Sequence, residues 1–189
     1  MSIQMKRISM ALLLFCLLPA TTGALEASAD DSERFRQIYE KEWTFRMQEF
    51  PMYASYAGVE GHEDRLGQVS EEAQARRNAF WKDIREELNE ISCEKLDREE
   101  CINYRIFVKQ IDNFLADYQV RSYLIPFNSD WGFYMEWGRL PQETDFGSLA
   151  DYENYLSRLQ QLPAVMDEYI ALMRRGLAEG ITQPRVILD

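Results

Sequence analysis

The stretch from Asp97 to Gln119, "DREECINYRIFVKQIDNFLADYQ", decides the fold class. Asp97 is followed three residues later by Glu100, the pattern in which two side chains satisfy each other's backbone N–H groups at a helix start. Beyond it Cys101, Tyr104, Val108, Ile111, Leu115 and Tyr118 recur at helical intervals and share one face.

The same period continues in both directions. Upstream, a helix starts near Ser70 with Glu71 and Glu72 in its first turn, where the helix dipole favours acids, and it presents Phe80, Ile84, Leu88 and Ile91 to a core. Before it, "SERFRQIYEKEWTFRMQEF" at 32–50 groups Phe35, Ile38, Tyr39 and Trp43, and Pro51 marks its end. Downstream, Ser148 with Asp151 opens a helix that buries Leu149, Tyr152, Leu156 and Leu159, and Pro163 closes it or opens the next. The last helix keeps Met166, Tyr169, Met173 and Leu177 on one face and stops at Gly180. No segment alternates as a strand does. The expectation is an all-α protein, an irregular bundle of about five helices.

Two segments break the period. "YASYAGVEGHEDRLGQVS" at 53–70 holds three glycines and reads as a connecting loop. Arg121 to Phe146 reads as a long aromatic loop between the third and fourth helices, centred on "NSDWGFYMEWGRLP" at 128–141. There Asn128, Ser129 and Asp130 can set a turn, Gly132 and Gly138 allow bends, and Trp131, Phe133, Tyr134, Met135 and Trp137 supply contact area. Such a loop either plugs the end of the bundle or lines a ligand or partner site. For the second role the candidates are Asn128, Asp130, Trp131, Phe133, Tyr134 and Trp137, with Arg185 near the chain end.

Residues 1–24, "MSIQMKRISMALLLFCLLPATTGA", have the order of a secretory signal peptide: Lys6 and Arg7, an apolar run from Met10 to Leu18, then a breaker and small residues. That run is far short of the roughly 20 residues a membrane span needs. Cleavage fits after Ala24 and also after Ala29. Residues 25–189 then form a single helical domain, exported to the periplasm or the medium. The formal charge of the chain is -11, and subtracting the two positive charges of the leader gives -13 for the remainder. A field of that sign repels phosphate backbones and anionic lipid surfaces, which excludes nucleic acid and membrane as partners. Cys93 and Cys101 are an even pair in an oxidising compartment. They form either a local disulfide or two separate thiols, and without a C-x-x-C spacing neither points to redox chemistry.

No metalloprotease H-E-x-x-H, phosphate-binding glycine loop or G-x-S-x-G is present. The one histidine, His62 in "GHED", has acidic neighbours whose side chains diverge on a regular backbone, so it reads as a solvated loop residue. The pairs Glu71–Glu72, Glu86–Glu87 and Glu99–Glu100 lie in charged helical stretches and read as solvated faces. No catalytic or metal-binding residue and no cofactor are therefore expected in this chain.

The N-S-D-W-G-F segment at Asn128–Phe133, the D-Y-x-x-Y-L-x-R-L helix at Asp151–Leu159 and the G-L-x-x-G-I-T-x-P-R segment at Gly176–Arg185 resemble the N-terminal region of the bacterial family known as domain of unknown function 885. The agreement is dense from Asn128 to Arg185 and weaker in the front half. The resemblance implies a longer, mostly helical protein similar to zinc metallopeptidases, with a His-Glu-x-x-Pro-Gly-His motif in its later half. No position here matches that motif, so no catalytic residue carries over, and zinc is implied for full-length relatives only. The resemblance also implies that the stop at Asp189, five residues into an apolar run, is a truncation. On this reading the chain is the exported N-terminal portion of a peptidase-like protein whose partner is its missing half or a peptide. The alternative is a free-standing helical module that docks a protein or peptide through the aromatic loop. Exposed apolar surface makes self-association a further expectation.

Overall fold

The computed structural model describes residues 22–128, 130 and 132–188, with side chains from 30 to 187. Residues 1–21 of the expected leader, and the candidate Trp131, lie outside that set. Seven α-helices run in the order α1 (Thr22–Glu49), α2 (Pro51–Tyr56), α3 (Glu71–Asn89), α4 (Arg98–Gln119), α5 (Phe133–Glu143), α6 (Leu149–Ala178) and α7 (Arg185–Leu188). Single 3-10 turns stand at Cys93–Lys95 and Ser122–Leu124. The described residues contain no strand, only one isolated antiparallel bridge between Phe127 and Gly132. The protein is all-α.

Local signals fix most helix starts. Ser70 accepts from the Ala73 N–H at 3.3 Å. Asp97 and Glu100 close a full capping box, as do Ser148 and Asp151. Each such cap satisfies donors that would otherwise be orphaned, for about 1 kcal/mol. Gly180, with φ +73°, takes the left-handed position past the end of α6 that a side chain would resist.

The core forms where α1, α3 and α4 meet: Phe35, Ile38, Trp81, Ile84, Leu88, Phe107 and Ile111 are buried together. Burying each such side chain is worth about 1.5–3 kcal/mol. Tyr39, expected inside, is half exposed and meets Phe107 edge to face, because Ile38 one position earlier takes the inward slot. Between α3 and α4, Cys93 and Cys101 are joined by a disulfide with Cα atoms 5.0 Å apart. Closing so short a loop removes unfolded-chain entropy worth roughly 2–3 kcal/mol.

Three expectations need correction. Tyr53–Tyr56, read as loop, belongs to α2, which Pro51 opens from a first-turn position that needs no N–H donor. The expected aromatic loop contains α5, since Phe133, Trp137 and Leu140 do keep a helical spacing that the flanking glycines and Pro141 obscure. Gly138 lies inside that helix in open space, so it makes no bend. Pro163 neither ends nor begins a helix: α6 runs through it for 30 residues. Pro163 is exposed, and water can solvate the Leu159 carbonyl that it leaves without a donor.

The face by which α6 docks is also not the expected one. Leu149, Tyr152, Leu156 and Leu177 are 75%, 52%, 54% and 69% exposed, whereas Arg158, Val165, Leu172 and Gly176 are buried. Beside the apolar Val165 and Leu172, polar side chains on this side of α6 bond the backbone of α2 and of the loop that follows it. Ser157 Oγ donates to the Asp64 carbonyl at 2.8 Å, Gln161 accepts from Leu66 N–H at 3.0 Å, and Glu168 accepts from Val69 and Ser70 N–H at 2.6 and 3.0 Å. Arg158 donates to the carbonyls of Arg65 (3.0 Å), His62 (3.0 Å) and Pro51 (3.4 Å) and to Ser55 Oγ (2.6 Å). A loop rich in unpaired backbone groups needs polar partners, and α6 supplies them. Gly176 lets the far end of α6 sit against the 3-10 turn, where a Cβ would lie 2.7 Å from the Ile181 carbonyl and 3.0 Å from that of Leu124.

Candidate functional site

A cleft opens between the α1–α4 body and the α5–α6 pair. Its larger lobe, of about 570 Å³, lies between the two; a smaller lobe, of about 460 Å³, is lined by α1–α4 and the Ser122–Leu124 turn alone, and the lobes share Phe50, Tyr53, Gln74 and Trp81. The aromatic floor is ordered by stacking: Trp81 lies parallel to Phe50 at 6.4 Å and against Phe114 at 4.4 Å. The opposite wall of the larger lobe is Trp137 of α5 and Tyr169 of α6, edge to face at 5.7 Å. Phe133 backs that wall, stacked on Tyr169 at 4.1 Å. Offset and edge-to-face contacts of this kind stiffen a binding surface before a ligand arrives.

Two buried ionic networks hold the floor. Glu42 is fully buried and accepts from Arg46 Nε (2.9 Å), Arg46 Nη2 (2.6 Å) and Trp81 Nε1 (3.2 Å). Arg46 then spreads over the Phe114 ring at 5.4 Å and lines the smaller lobe. Arg77 is buried, paired with Glu49 at 2.9 Å and donating to the Gln68 carbonyl at 2.6 Å, with its guanidinium 4.4 Å over Phe50. Burial pulls the Arg77 pKa down and the Glu49 carboxylate pushes it back up. The larger lobe also has an acidic margin, Glu136 and Glu143, with Arg139 between them. Glu136 is exposed by area, yet the atoms crowding it raise its pKa, and the neighbouring Glu143 raises it further. The Tyr169 phenol is pushed up to about 12, first by burial and then by Glu136, so it stays a hydrogen-bond donor at physiological pH.

Of the residues singled out from the sequence, Trp137 lines the cleft and Phe133 supports it. Asn128 Oδ1 accepts from the Asp130 N–H at 2.8 Å and shapes the turn before α5; Asp130 is exposed. Tyr134 is exposed beside the cleft wall, in edge contact with Phe133. Arg185 lies in α7, exposed and apart from the cleft lining. Phe50, Tyr53, Trp81, Glu136 and Tyr169 were not anticipated as site residues. The available signals were Arg46 four residues after Glu42 and Trp81 four after Arg77, charges set on an otherwise apolar helix face.

The acidic pairs serve structure: Glu71 meets Arg175, Glu87 meets Lys41, and Glu100 accepts from Ser32 at 2.6 Å while capping α4. His62 Nδ1 accepts from Arg65 at 2.7 Å, outside the cleft. Among the described residues no group of three His, Cys, Asp or Glu side chains converges, so these residues do not fit the zinc centre that the family resemblance implies for longer relatives. No described helix is long and apolar enough to cross a membrane.

No curated protein and no solved structure matches the chain. A family model does, over residues 51–189, a span that takes in α2 to α7 and the cleft lining apart from Arg46 and Phe50. The chain belongs to the family described as "Bacterial protein of unknown function (DUF885)".

Proposed function

We propose that this chain is a peptide-holding helical domain, the non-catalytic part of an exported peptidase-like protein whose hydrolytic chemistry resides outside Met1–Asp189. The observation that carries the reading is the cleft: rigid aromatic walls on two packed bodies, a protonated tyrosine and an acidic margin. An aromatic or long aliphatic side chain fills such a space, and a cationic group beside it meets Glu136 and Glu143. The ligand class is therefore an apolar peptide carrying lysine, arginine or a free amino terminus. The net charge of the chain favours the same class by steering. The Cys93–Cys101 bond supports export.

Titration calorimetry with a Phe/Lys-rich peptide and a Phe/Glu-rich control tests this. The basic peptide is expected to bind, Trp137→Ala to weaken it about tenfold or more, and the acidic control to bind poorly. Equal binding of both peptides, or affinity indifferent to Trp137→Ala in a folded variant, would end the proposal. pH supplies a second reading with a definite sign. The raised pKa of Glu136 means that affinity falls as pH drops through a range above that of an ordinary carboxylate, and Glu136→Gln removes that step. For folding the sign is opposite: the folded state holds the Glu136 proton more tightly, so the carboxylate disfavours folding at neutral pH and the penalty fades on acidification. Glu136→Gln is accordingly expected to raise the melting temperature at pH 7 while weakening basic peptides.

A further inference from the structure

An apolar stripe runs along α6, exposed at Leu149, Tyr152, Leu156, Pro163, Ile170 and Leu177 and half-buried at Leu159, Met166 and Met173. In chain order these residues alternate steps of three and four along the whole helix, the seam of a coiled coil. The opposite side of α6 is already engaged, through Ser157, Arg158, Gln161 and Glu168, so the apolar stripe is not the inward face of a loosely docked helix. At 30 residues α6 offers a line of contact about 45 Å long.

We propose that the occupant of this stripe is a second copy of the chain, with the two α6 helices antiparallel. The register follows from the spacing. An antiparallel seam sets each first apolar position against the second of its partner, which pairs Leu149 with Met173, Tyr152 with Ile170 and Leu156 with Met166, around a centre formed by Leu159 and Pro163.

The flanking charges then choose the orientation. In this register Glu153 faces Arg174 of the second copy, twice by symmetry, and Gln160 faces Asp167. A parallel pair would instead set Glu153 beside Ser148 and Arg174 beside Tyr169 of the second copy, with no ion pair. Both side chains are exposed, and among the described residues neither has an ion-pair partner in its own chain. The isologous two-fold arrangement also opposes the dipoles of the two helices. None of the stripe residues lines either lobe of the cleft, so this contact and peptide binding are separable.

Sedimentation of the purified oxidised chain over a range of concentrations tests the proposal. The expected result is a reversible dimer that Leu156→Asp weakens at least tenfold without changing the helical circular dichroism, since Leu156 is more than half exposed. Glu153→Arg or Arg174→Glu alone is expected to weaken the dimer about threefold or more at low salt, and the two together to restore it. A chain that stays monomeric at its highest soluble concentration, a dimer indifferent to Leu156→Asp, or charge reversals that do not rescue each other would each overturn it. Peptide binding retained in the Leu156→Asp monomer would leave the cleft reading intact whichever way the dimer test falls.

Discussion

Arg158→Met is expected to lower the unfolding free energy by about 3 kcal/mol, the loss of a charged donor from several buried acceptors at once. The methionine keeps the bulk of the stem but none of the donors. The carbonyls of Pro51, His62 and Arg65 and the Ser55 hydroxyl would lose their shared partner, and only the outer ones can be rehydrated. In a chain of this size that corresponds to a fall in melting temperature of roughly 6–12 °C. Arg158→Lys retains the charge but not the planar fork, and should recover only part of the loss. Urea unfolding of the three proteins checks this; a loss below about 1 kcal/mol for the methionine variant would show that α6 does not depend on the clamp.

Glu42→Ala is expected to cost about 3–5 kcal/mol, because removing one member of a buried pair strands the other. Arg46 would be left over the Phe114 ring without its carboxylate, and the Trp81 indole N–H without its acceptor. Arg46 retains some access to the smaller lobe of the cleft, which favours the lower end of the range. Glu42→Gln keeps an oxygen for Trp81 and should fall between the two. Replacing Glu42 and Arg46 together by leucine should be far milder than the sum of the single changes, as a buried pair and its apolar substitute are often close in energy. Calorimetric melting of the four proteins gives the coupling directly, and strict additivity would refute the network.

Helix content was legible wherever a cap and a period coincided, as at Ser70, Asp97 and Ser148. The period failed as a guide at α5, where Gly132, Gly138 and Pro141 gave local signals of a loop that Phe133 and Trp137, packed on Tyr169, and the buried Leu140 outweigh. Burial on α6 was misread for a different reason. Periodicity reports where apolar residues gather, and the rule that this face turns inward assumes an apolar counterpart. Here the counterpart is a loop with backbone groups to satisfy, so Arg158 and Gln161 went in and Leu156 stayed out. The cleft was legible only at Trp137. Its other walls come from five further helices spread along the sequence, and a single sequence carries no record of which distant side chains meet.

The clasp between α6 and the α2–α3 loop also sets an order of events. Arg158 reaches partners between about ninety and a hundred and ten positions back along the chain, whereas α3 and α4 are neighbours in sequence, joined by the Cys93–Cys101 bond. Contacts that close short loops form early, and those that close long ones wait. The α3–α4 hairpin is therefore the natural nucleus, and the loop before α3 is the last to settle, because α3 offers donors to the Gln68 and Val69 carbonyls but the N–H groups of Leu66, Val69 and Ser70 find their acceptors only on the sixth helix. Pulse-labelling hydrogen exchange during refolding would show amides of α3 and α4 protected ahead of Leu66, Val69 and Ser70; simultaneous protection would mean that the chain folds without a preferred route. A polypeptide delivered amino end first would thus carry an unfinished loop, open to proteolysis, until Ser157 to Glu168 of α6 are through.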